Sequence, residues 1–270
     1  MLSFKNWKRQ VKMIPKIIHY VWLGNTPMPM SQQEAISYCK KIMPDYSVFC
    51  WDNDSINQVE SVFVSEACST GKWAFASDVI RLWALYNYGG IYLDTDVKVC
   101  KSFDSLLDNH AFIGREGCLQ IQGKSTSYHL TSFCLGAEKG NAFIKRCLDY
   151  YADRRFIMSN DQSLPMKLRL DIRNASEVYC EMAKMFGYNA SALAPSMQYC
   201  NNKVLTIYPP ETFSSPQTKN SYCTHLSYGS WREGGKQEEH YTLKYKIGWR
   251  LRWIIEKVLL KFGYVMVKLK

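Results

Sequence analysis

The sequence contains no uninterrupted apolar run of the roughly 18 residues that a membrane-spanning helix needs. Its 10 cysteines include no C-x-x-C pair and no tight cluster, which argues against a zinc site. No apolar signal-peptide segment precedes the first predicted strand, so we expect free thiols in a reducing, cytoplasmic compartment. The sequence also lacks repeats and low-complexity tracts. We therefore expect an ordinary globular fold.

The chain has 270 residues, a hydrophobic content of 47% and a net charge of +10, which calls for an anionic partner. The basic residues are concentrated in residues 1–16 and 241–270, whereas the middle of the chain is close to neutral. In the segment 241–270, apolar and aromatic residues alternate with Lys and Arg at helical spacing. We therefore predict a basic amphipathic helical tail that lies on an anionic membrane surface, and no binding of nucleic acid. The alternative is a C-terminal helix that packs on the core with its basic face in solvent.

Strands and helices alternate over the first hundred residues, which predicts an α/β fold with a mixed, mainly parallel sheet. The predicted strands cover 15–24, 46–52, 91–99, 110–116 and 132–140. Two predicted helices begin at Ser31, with Glu34 completing a capping box, and at Ser77, with Gly89 as the stop, and two more are predicted in NDSINQVESVF (53–63) and NAFIKRCLDYY (141–151). In such sheets ligands bind outside the carboxyl ends of the strands, and Trp22 and Asp94 fall at such ends.

The stretch GGIYLDTDVKV (89–99) carries two carboxylates two residues apart. In an extended strand Asp94 and Asp96 share one face, where they repel each other unless a cation, a proton or water lies between them. One interpretation is therefore a metal site. The other is a solvated strand end whose second aspartate starts a turn.

Two further features surround this pair. Asp78 and Arg81 lie three apart on the preceding helix and share a face, either as part of the same cleft or as a surface ion pair of little value. His225 lies far along the chain. It is either structural or a third ligand, because two carboxylates and one imidazole suit Mn²⁺.

Four stretches, IPKIIHYVWLG, ASDVIRLWALYNYGGIYLDTDV, IYPPETF and HLSYGSW, resemble the successive signatures of glycosyltransferase family 32. The resemblance covers residues 14 to about 140 and 204–232. It implies a GT-A type, Rossmann-like nucleotide-sugar-binding fold, a divalent cation (Mn²⁺ or Mg²⁺) and a nucleotide-sugar donor, for which UDP is the expected carrier. It also implies transfer with retention, without identifying a nucleophile or a general base.

The resemblance also implies roles for individual residues. Asp94, Asp96 and Arg81 would be catalytic, and Asp94, Asp96 and His225 would hold the metal. The donor would contact seven residues, with the base stacked on the first: Trp22, Ser77, Asp78, Arg81, Asp94, Ser230 and Trp231.

The resulting hypothesis is a metal-dependent glycosyltransferase that moves a hexose or N-acetylhexosamine to a polyprenyl-diphosphate-linked glycan, in capsule- or O-antigen-type polysaccharide synthesis. It would act at the inner face of the membrane. We predict a catalytic domain over 1–240, with a variable helical insertion at 152–200, followed by the tail at 241–270. The alternatives are a metal-dependent phosphohydrolase or nuclease, which needs further acidic ligands, and a membrane-binding module without catalysis.

Overall fold

The computed structural model of the protein describes residues 14–116, 129–190, 197–213 and 218–226. The strands of these residues are β1 (Ile17–Val21), β2 (Ser47–Trp51), β3 (Gly90–Leu93), β4 (Val97–Val99), β5 (Ala111–Arg115), β6 (Leu130–Ala137), β7 (Gln198–Cys200), β8 (Leu205–Tyr208) and β9 (Cys223–His225). The helices are α1 (Met30–Ile42), α2 (Val62–Ser69), α3 (Trp73–Tyr88), α4 (Ala142–Ala152), α5 (Met166–Arg169), α6 (Ala175–Lys184) and α7 (Pro210–Phe213).

Seven strands form one sheet in the order β2-β1-β3-β6-β5-β8-β7, and β4 pairs with β9 in a second, two-stranded sheet. β1 is parallel to β2 and β3, and β5 is parallel to β8, whereas β6 runs antiparallel to both β3 and β5. The predicted α/β class with a mixed sheet is confirmed. Because β1, β3 and β5 all end at the same edge of the sheet, where β6 begins, we call this edge the site edge.

The prediction of one strand over 91–99 is wrong. The chain leaves the large sheet after Leu93 and turns at Asp94, whose carbonyl accepts the Val97 amide at 3.1 Å. It then continues as β4 in the small sheet. The aspartates are therefore brought to one place by a turn and not by the alternation of side chains along a strand.

Both predicted helix caps are also wrong. Helix α1 begins at Met30, after Pro29, and has no side-chain cap, so Ser31 and Glu34 form no capping box. Helix α3 begins at Trp73, and Ser77 lies inside it with its hydroxyl donating to the Ala74 carbonyl at 2.7 Å. Serine is tolerated inside a helix when its hydroxyl bonds back to the preceding turn, which is why its presence did not mark a boundary.

The predicted stop at Gly89 is confirmed. Gly89 has a φ of +68°, and a Cβ at this position would lie 2.8 Å from the Lys139 amide nitrogen. Only glycine fits a left-handed conformation with backbone so close. This turn joins α3 directly to β3, so the helix that carries Asp78 and Arg81 and the strand that leads to Asp94 are neighbours in space.

Two apolar clusters cover the two faces of the sheet. One contains buried residues of α2, α3, α4 and α6, and the other contains residues of α1, β4 and α7. Phe156 and Tyr179, from the predicted insertion 152–200, belong to the first cluster. The predicted domain boundaries stay a prediction, because the tail 241–270 lies outside the described residues.

Within the described part of the chain, no helix combines the length and the apolar character that crossing a bilayer requires.

Candidate active site

The turn at the end of β3 presents two carboxylates at the site edge. The Asp94 amide donates to the Phe133 carbonyl of β6 at 2.9 Å, which fixes the start of the turn against the sheet. The Asp96 carbonyl accepts the Leu226 amide at 2.9 Å, which ties the end of the turn to the chain after β9. The turn is thus held from both sides.

His225 reaches this turn because β9 pairs antiparallel with β4, with His225 opposite Val97. Its Nε2 lies 3.0 Å from an Asp96 carboxylate oxygen. Its ring stacks on Phe133, with ring centres 4.5 Å apart and planes at 18°. Backbone pairing and aromatic packing together fix which way the imidazole faces.

One ligand atom each from Asp94, Asp96 and His225 lie within 4.8 Å of one another. Ligands about 2.1 Å from an octahedral Mg²⁺ or Mn²⁺ are about 3 Å apart when adjacent and about 4 Å apart when opposite, so this spacing is close to the one that a divalent cation requires. Two carboxylates and one imidazole are also donors that such ions accept. The three residues fit the predicted metal, and their role as ligands stays a prediction.

The same cluster changes the proton affinity of His225. Burial lowers the pKa of His225, but the bond to Asp96 and the charges of Asp96, Asp94 and Glu116 outweigh burial and raise the pKa above its usual value. An imidazole surrounded by carboxylates is thereby stabilised in its cationic form. A metal would compete with this proton for the same nitrogen.

Arg81 connects α3 to the turn. Its guanidinium lies 3.0 Å from an Asp78 carboxylate oxygen and 3.4 Å from one of Asp94. It also donates to the Ser132 carbonyl of β6 at 2.6 Å and lies 4.4 Å above the centre of the Tyr92 ring. With 4% of its surface exposed, Arg81 is a buried cation between two carboxylates and not a surface ion pair.

Asp78 occupies a different environment from the carboxylates of the turn. Burial raises the pKa of Asp78 to about 7, against the attraction of Arg81 and with a smaller contribution from Asp94. Asp94 is more exposed and accepts a hydrogen bond from the Tyr92 hydroxyl at 2.8 Å. The two groups that flank Arg81 are thus chemically unequal, and Asp78 can hold or release a proton near neutral pH.

The other predicted donor contacts have separate positions. Ser77 accepts a hydrogen bond from the Arg81 guanidinium at 3.0 Å, so it orients Arg81. Trp22 follows β1, and its indole N–H donates to the Thr26 carbonyl at 3.0 Å within its own loop. Ser230 and Trp231 lie outside the described residues. All four donor contacts stay predictions.

Two residues of this region were not predicted from the sequence. Tyr92 supplies the hydroxyl that holds Asp94 and the ring on which Arg81 lies. Glu116 follows β5 at the site edge, as Asp94 follows β3, and it interacts electrostatically with His225. A carboxylate directly after a buried strand was the available signal in HAFIGRE, but the direction of β5 relative to β3 was not known.

Comparison with known families gives a match over residues 29–113 to a family described as "Glycosyltransferase sugar-binding region containing DXD motif". The match contains Asp78, Arg81, Asp94 and Asp96. The predicted resemblance to DXD glycosyltransferases of the family 32 type is confirmed.

Similar proteins include inositol phosphoceramide mannosyltransferase 3 of Schizosaccharomyces pombe, 30% identical over 142 residues, or 51% of this chain and 37% of that protein. The chain therefore spans little more than a third of this relative. Uncharacterized glycosyltransferase L373 of Acanthamoeba polyphaga mimivirus is 24% identical over 229 residues, which are 81% of this chain and 84% of that protein.

Among solved structures, the PaToxG glycosyltransferase has a TM-score of 0.44 at 21% identity, over 64% of this chain and 69% of that one. The galactosyltransferase LgtC has a TM-score of 0.34 at 12% identity, over 77% of this chain and 86% of that one.

Proposed function

Because residues 29–113 match the DXD-containing sugar-binding region of glycosyltransferases, we propose that this chain transfers a hexose from a nucleotide-sugar to a glycan acceptor. Asp94, Asp96 and His225 would hold a divalent cation for this reaction. The observation that carries the proposal is the convergence of these three side chains from the turn after β3, which carries Asp94 and Asp96, and from β9, which carries His225, with ligand atoms within 4.8 Å of one another.

The charges around the turn support distinct roles for the residues. A divalent cation bound by these residues would offset the negative charge that builds on the departing nucleoside diphosphate. Arg81, cationic and buried, holds Asp94 and Asp78 at fixed positions and supplies N–H donors toward them. Asp78 would accept a hydrogen bond from a hydroxyl of the nucleotide-sugar or donate one to it, since its pKa of about 7 allows both the ionised and the protonated carboxyl. Trp22 would stack on the base, and Ser230 and Trp231 would cover the diphosphate.

Mannose is the first sugar to test, since relatives from Schizosaccharomyces pombe and Saccharomyces cerevisiae carry names of mannosyl transfer. The prediction of a UDP carrier comes from the family resemblance alone, so UDP- and GDP-sugars are both needed. An N-acetylhexosamine remains the second choice.

A lipid-linked acceptor is supported by the same names, which specify inositol phosphoceramide as the acceptor of those proteins. For this chain we propose a lipid-linked glycan, of which the predicted polyprenyl diphosphate type is one form. The basic segment 241–270 would bring the protein to an anionic membrane surface, at the cytoplasmic face. The place of this reaction in capsule or O-antigen synthesis stays a prediction.

A phosphohydrolase with two metals would need a second set of acidic ligands. In the described ranges, the turn cluster is the single group of three metal-ligating side chains that the structure contains. This favours the transferase.

The decisive experiment is a donor screen. The purified chain is incubated with Mn²⁺ and a panel of UDP-, GDP- and CMP-sugars, and nucleotide release is measured with and without a chelator. We expect release from one donor that stops when the metal is removed. If no nucleotide-sugar is cleaved, calorimetry with each donor and Mn²⁺ decides the question, and the absence of binding would contradict the proposal.

A further inference from the structure

The hairpin of β5 and β6 carries one glutamate and one histidine at each of its two ends. Away from the site edge, the Glu138 amide donates to the His110 carbonyl at 2.8 Å. At the site edge, the Glu116 amide donates to the His129 carbonyl at 2.7 Å. Each pair is therefore joined by a backbone hydrogen bond from the glutamate amide to the histidine carbonyl, whereas the contacts of the side chains differ.

Away from the site edge, the side chains form a closed pair. His110 Nδ1 lies 2.7 Å from a Glu138 carboxylate oxygen, and both side chains are partly exposed. This is an ordinary ion pair or hydrogen bond at the surface, of small energetic value.

At the site edge, the corresponding pair is open. His129 Nδ1 is buried and has no hydrogen-bond partner within the described part of the chain. Glu116 is hydrogen-bonded to Ser176 of α6, and its charge interacts with His129 and His225. Burial raises the pKa of Glu116, against these three contacts. A buried nitrogen without a partner, next to a half-buried carboxyl, costs stability that a ligand would restore.

The topology puts this open pair beside the DXD turn. β6 is antiparallel to both β3 and β5, so β3 and β5 run in the same direction and Glu116 leaves the sheet at the edge where Asp94 leaves it. Along β6, Phe133 contacts the Asp94 amide and the His225 ring, and His129 lies further out at the same edge. Glu116 thus lies on the β5 side of the site, where its charge acts on His225, the residue that is hydrogen-bonded to Asp96.

We propose that Glu116 is a further catalytic carboxylate, which contacts the transferred hexosyl group and stabilises the positive charge that develops at its C1. His129 would hydrogen-bond to the same sugar through Nδ1. The proposal rests on the proposed function, because it requires a nucleotide-sugar whose diphosphate is bound at Asp94, Asp96 and His225. Glycosyl transfer passes through an oxocarbenium-like state, and a preorganised carboxylate is worth most where that charge forms.

A structural role for Glu116 makes a different prediction. If the carboxylate only orients His225 or anchors α6 through Ser176, its loss would weaken metal binding or lower the stability of the fold. If it contacts the sugar in the transition state, its loss would lower kcat while the affinity for the donor is kept.

The test compares Glu116→Gln with the matched control Glu138→Gln, which removes the same charge at the other end of the same hairpin. Three quantities are measured for each variant. They are kcat for metal-dependent transfer, the Kd for binding of the intact nucleotide-sugar in the presence of Mn²⁺ by calorimetry, and Tm. We expect Glu116→Gln to lower kcat by roughly 100-fold and to change the donor Kd by less than about threefold. Glu138→Gln is expected to change both by less than about twofold.

A kcat of Glu116→Gln within about threefold of the unaltered chain would overturn the proposal, and so would a loss of donor affinity as large as the loss of kcat. If Glu116→Gln does not fold, Glu116→Asp takes its place, with Glu138→Asp as control. This variant keeps the charge but withdraws it by one methylene group, and an unchanged kcat would again be contrary to the proposal. Binding of no nucleotide-sugar by the unaltered chain would overturn this inference and the proposed function together, whereas normal binding with an unaffected Glu116→Gln overturns this inference alone.

Discussion

Carboxylates at the site edge have different neighbours from carboxylates elsewhere in the molecule. At the site edge, Asp94, Asp96 and Glu116 gather around one imidazole, and the charges of all three act on His225. Two acids elsewhere have partners of their own: Glu138 has His110, and Glu66 has the Arg155 guanidinium and the Ile157 amide.

We propose that the difference separates acids that stabilise the fold from acids that bind a ligand. Like charges held close together lower stability to the extent that neighbouring cations, here Arg81 and protonated His225, do not offset them, and proteins retain such arrangements at functional sites. Substitutions at the site edge should therefore cost activity and little stability, and substitutions of the paired acids should do the reverse. Arg81 belongs to both groups, because it is buried and also faces Asp94.

The largest effect is expected for Asp96→Asn. Removing a proposed metal ligand should reduce metal-dependent nucleotide release by about 10³-fold, while the unfolding free energy without metal changes by less than about 1 kcal/mol. Asp149→Asn, which removes an exposed acid of α4 paired with Lys145, is the control and should release nucleotide at the normal rate. Full activity of Asp96→Asn would contradict the proposal that Asp96 binds a metal. It would also contradict the distinction between acids needed for activity and acids needed for stability.

Arg81→Met tests the residue shared by both groups. Removing one partner of a buried ion pair leaves charge without compensation, so we expect a loss of about 3 kcal/mol in urea unfolding. Adding Asp78→Asn to this variant should restore part of the loss, since the uncompensated acid is then gone. Arg154→Met, which breaks the more exposed pair with Asp171, should cost less than about 1 kcal/mol. Equal losses for both arginines would mean that burial of Arg81 is energetically unimportant.

Glu66→Gln should lower the unfolding free energy by about 1 to 2 kcal/mol without an effect on transfer, because the carboxylate holds Arg155 and the Ile157 amide. Burial alone would raise the pKa of Glu66, but these bonds outweigh it and lower the pKa below its reference value of 4.5. The stabilisation of the fold by ionised Glu66 is therefore fully present above pH 4.5 and is lost as the pH falls through the lowered pKa of Glu66. The difference between unaltered chain and variant should narrow below that pH, and a difference that grows on acidification would contradict this assignment.

The smallest effect is expected for Glu138→Gln, with a change in unfolding free energy below about 0.5 kcal/mol and normal transfer. Its pair with His110 is partly exposed, so solvent screens the attraction and replaces the lost contact. Chemical denaturation and the transfer assay measure both quantities. A loss of transfer in Glu138→Gln would show that both ends of the β5–β6 hairpin, and not the site edge alone, affect activity.

Much of the site was accessible from local sequence. Gly89 requires a left-handed conformation, so the end of α3 was predicted, and the motif itself pointed to Asp78, Arg81, Asp94 and Asp96. The prediction of a helix cap at Ser77 was wrong because serine is compatible with both a helix start and a helix interior. Only the packing of the residues before Ser77 decides between these two positions.

The sequence by itself determined the α/β class, the helix that feeds the DXD stretch and the residue types that suit a divalent cation, because these depend on short-range periodicity and on side-chain chemistry. The tertiary structure alone decided that a turn and not a strand joins Asp94 to Asp96. It also decided that pairing of β4 with β9 brings His225 to Asp96, 129 positions away. The direction of β5 likewise placed Glu116 at the site edge, while Glu138 lies at the other end of the hairpin. Contacts between distant segments depend on which strands pair and in which direction, and no local pattern encodes that choice.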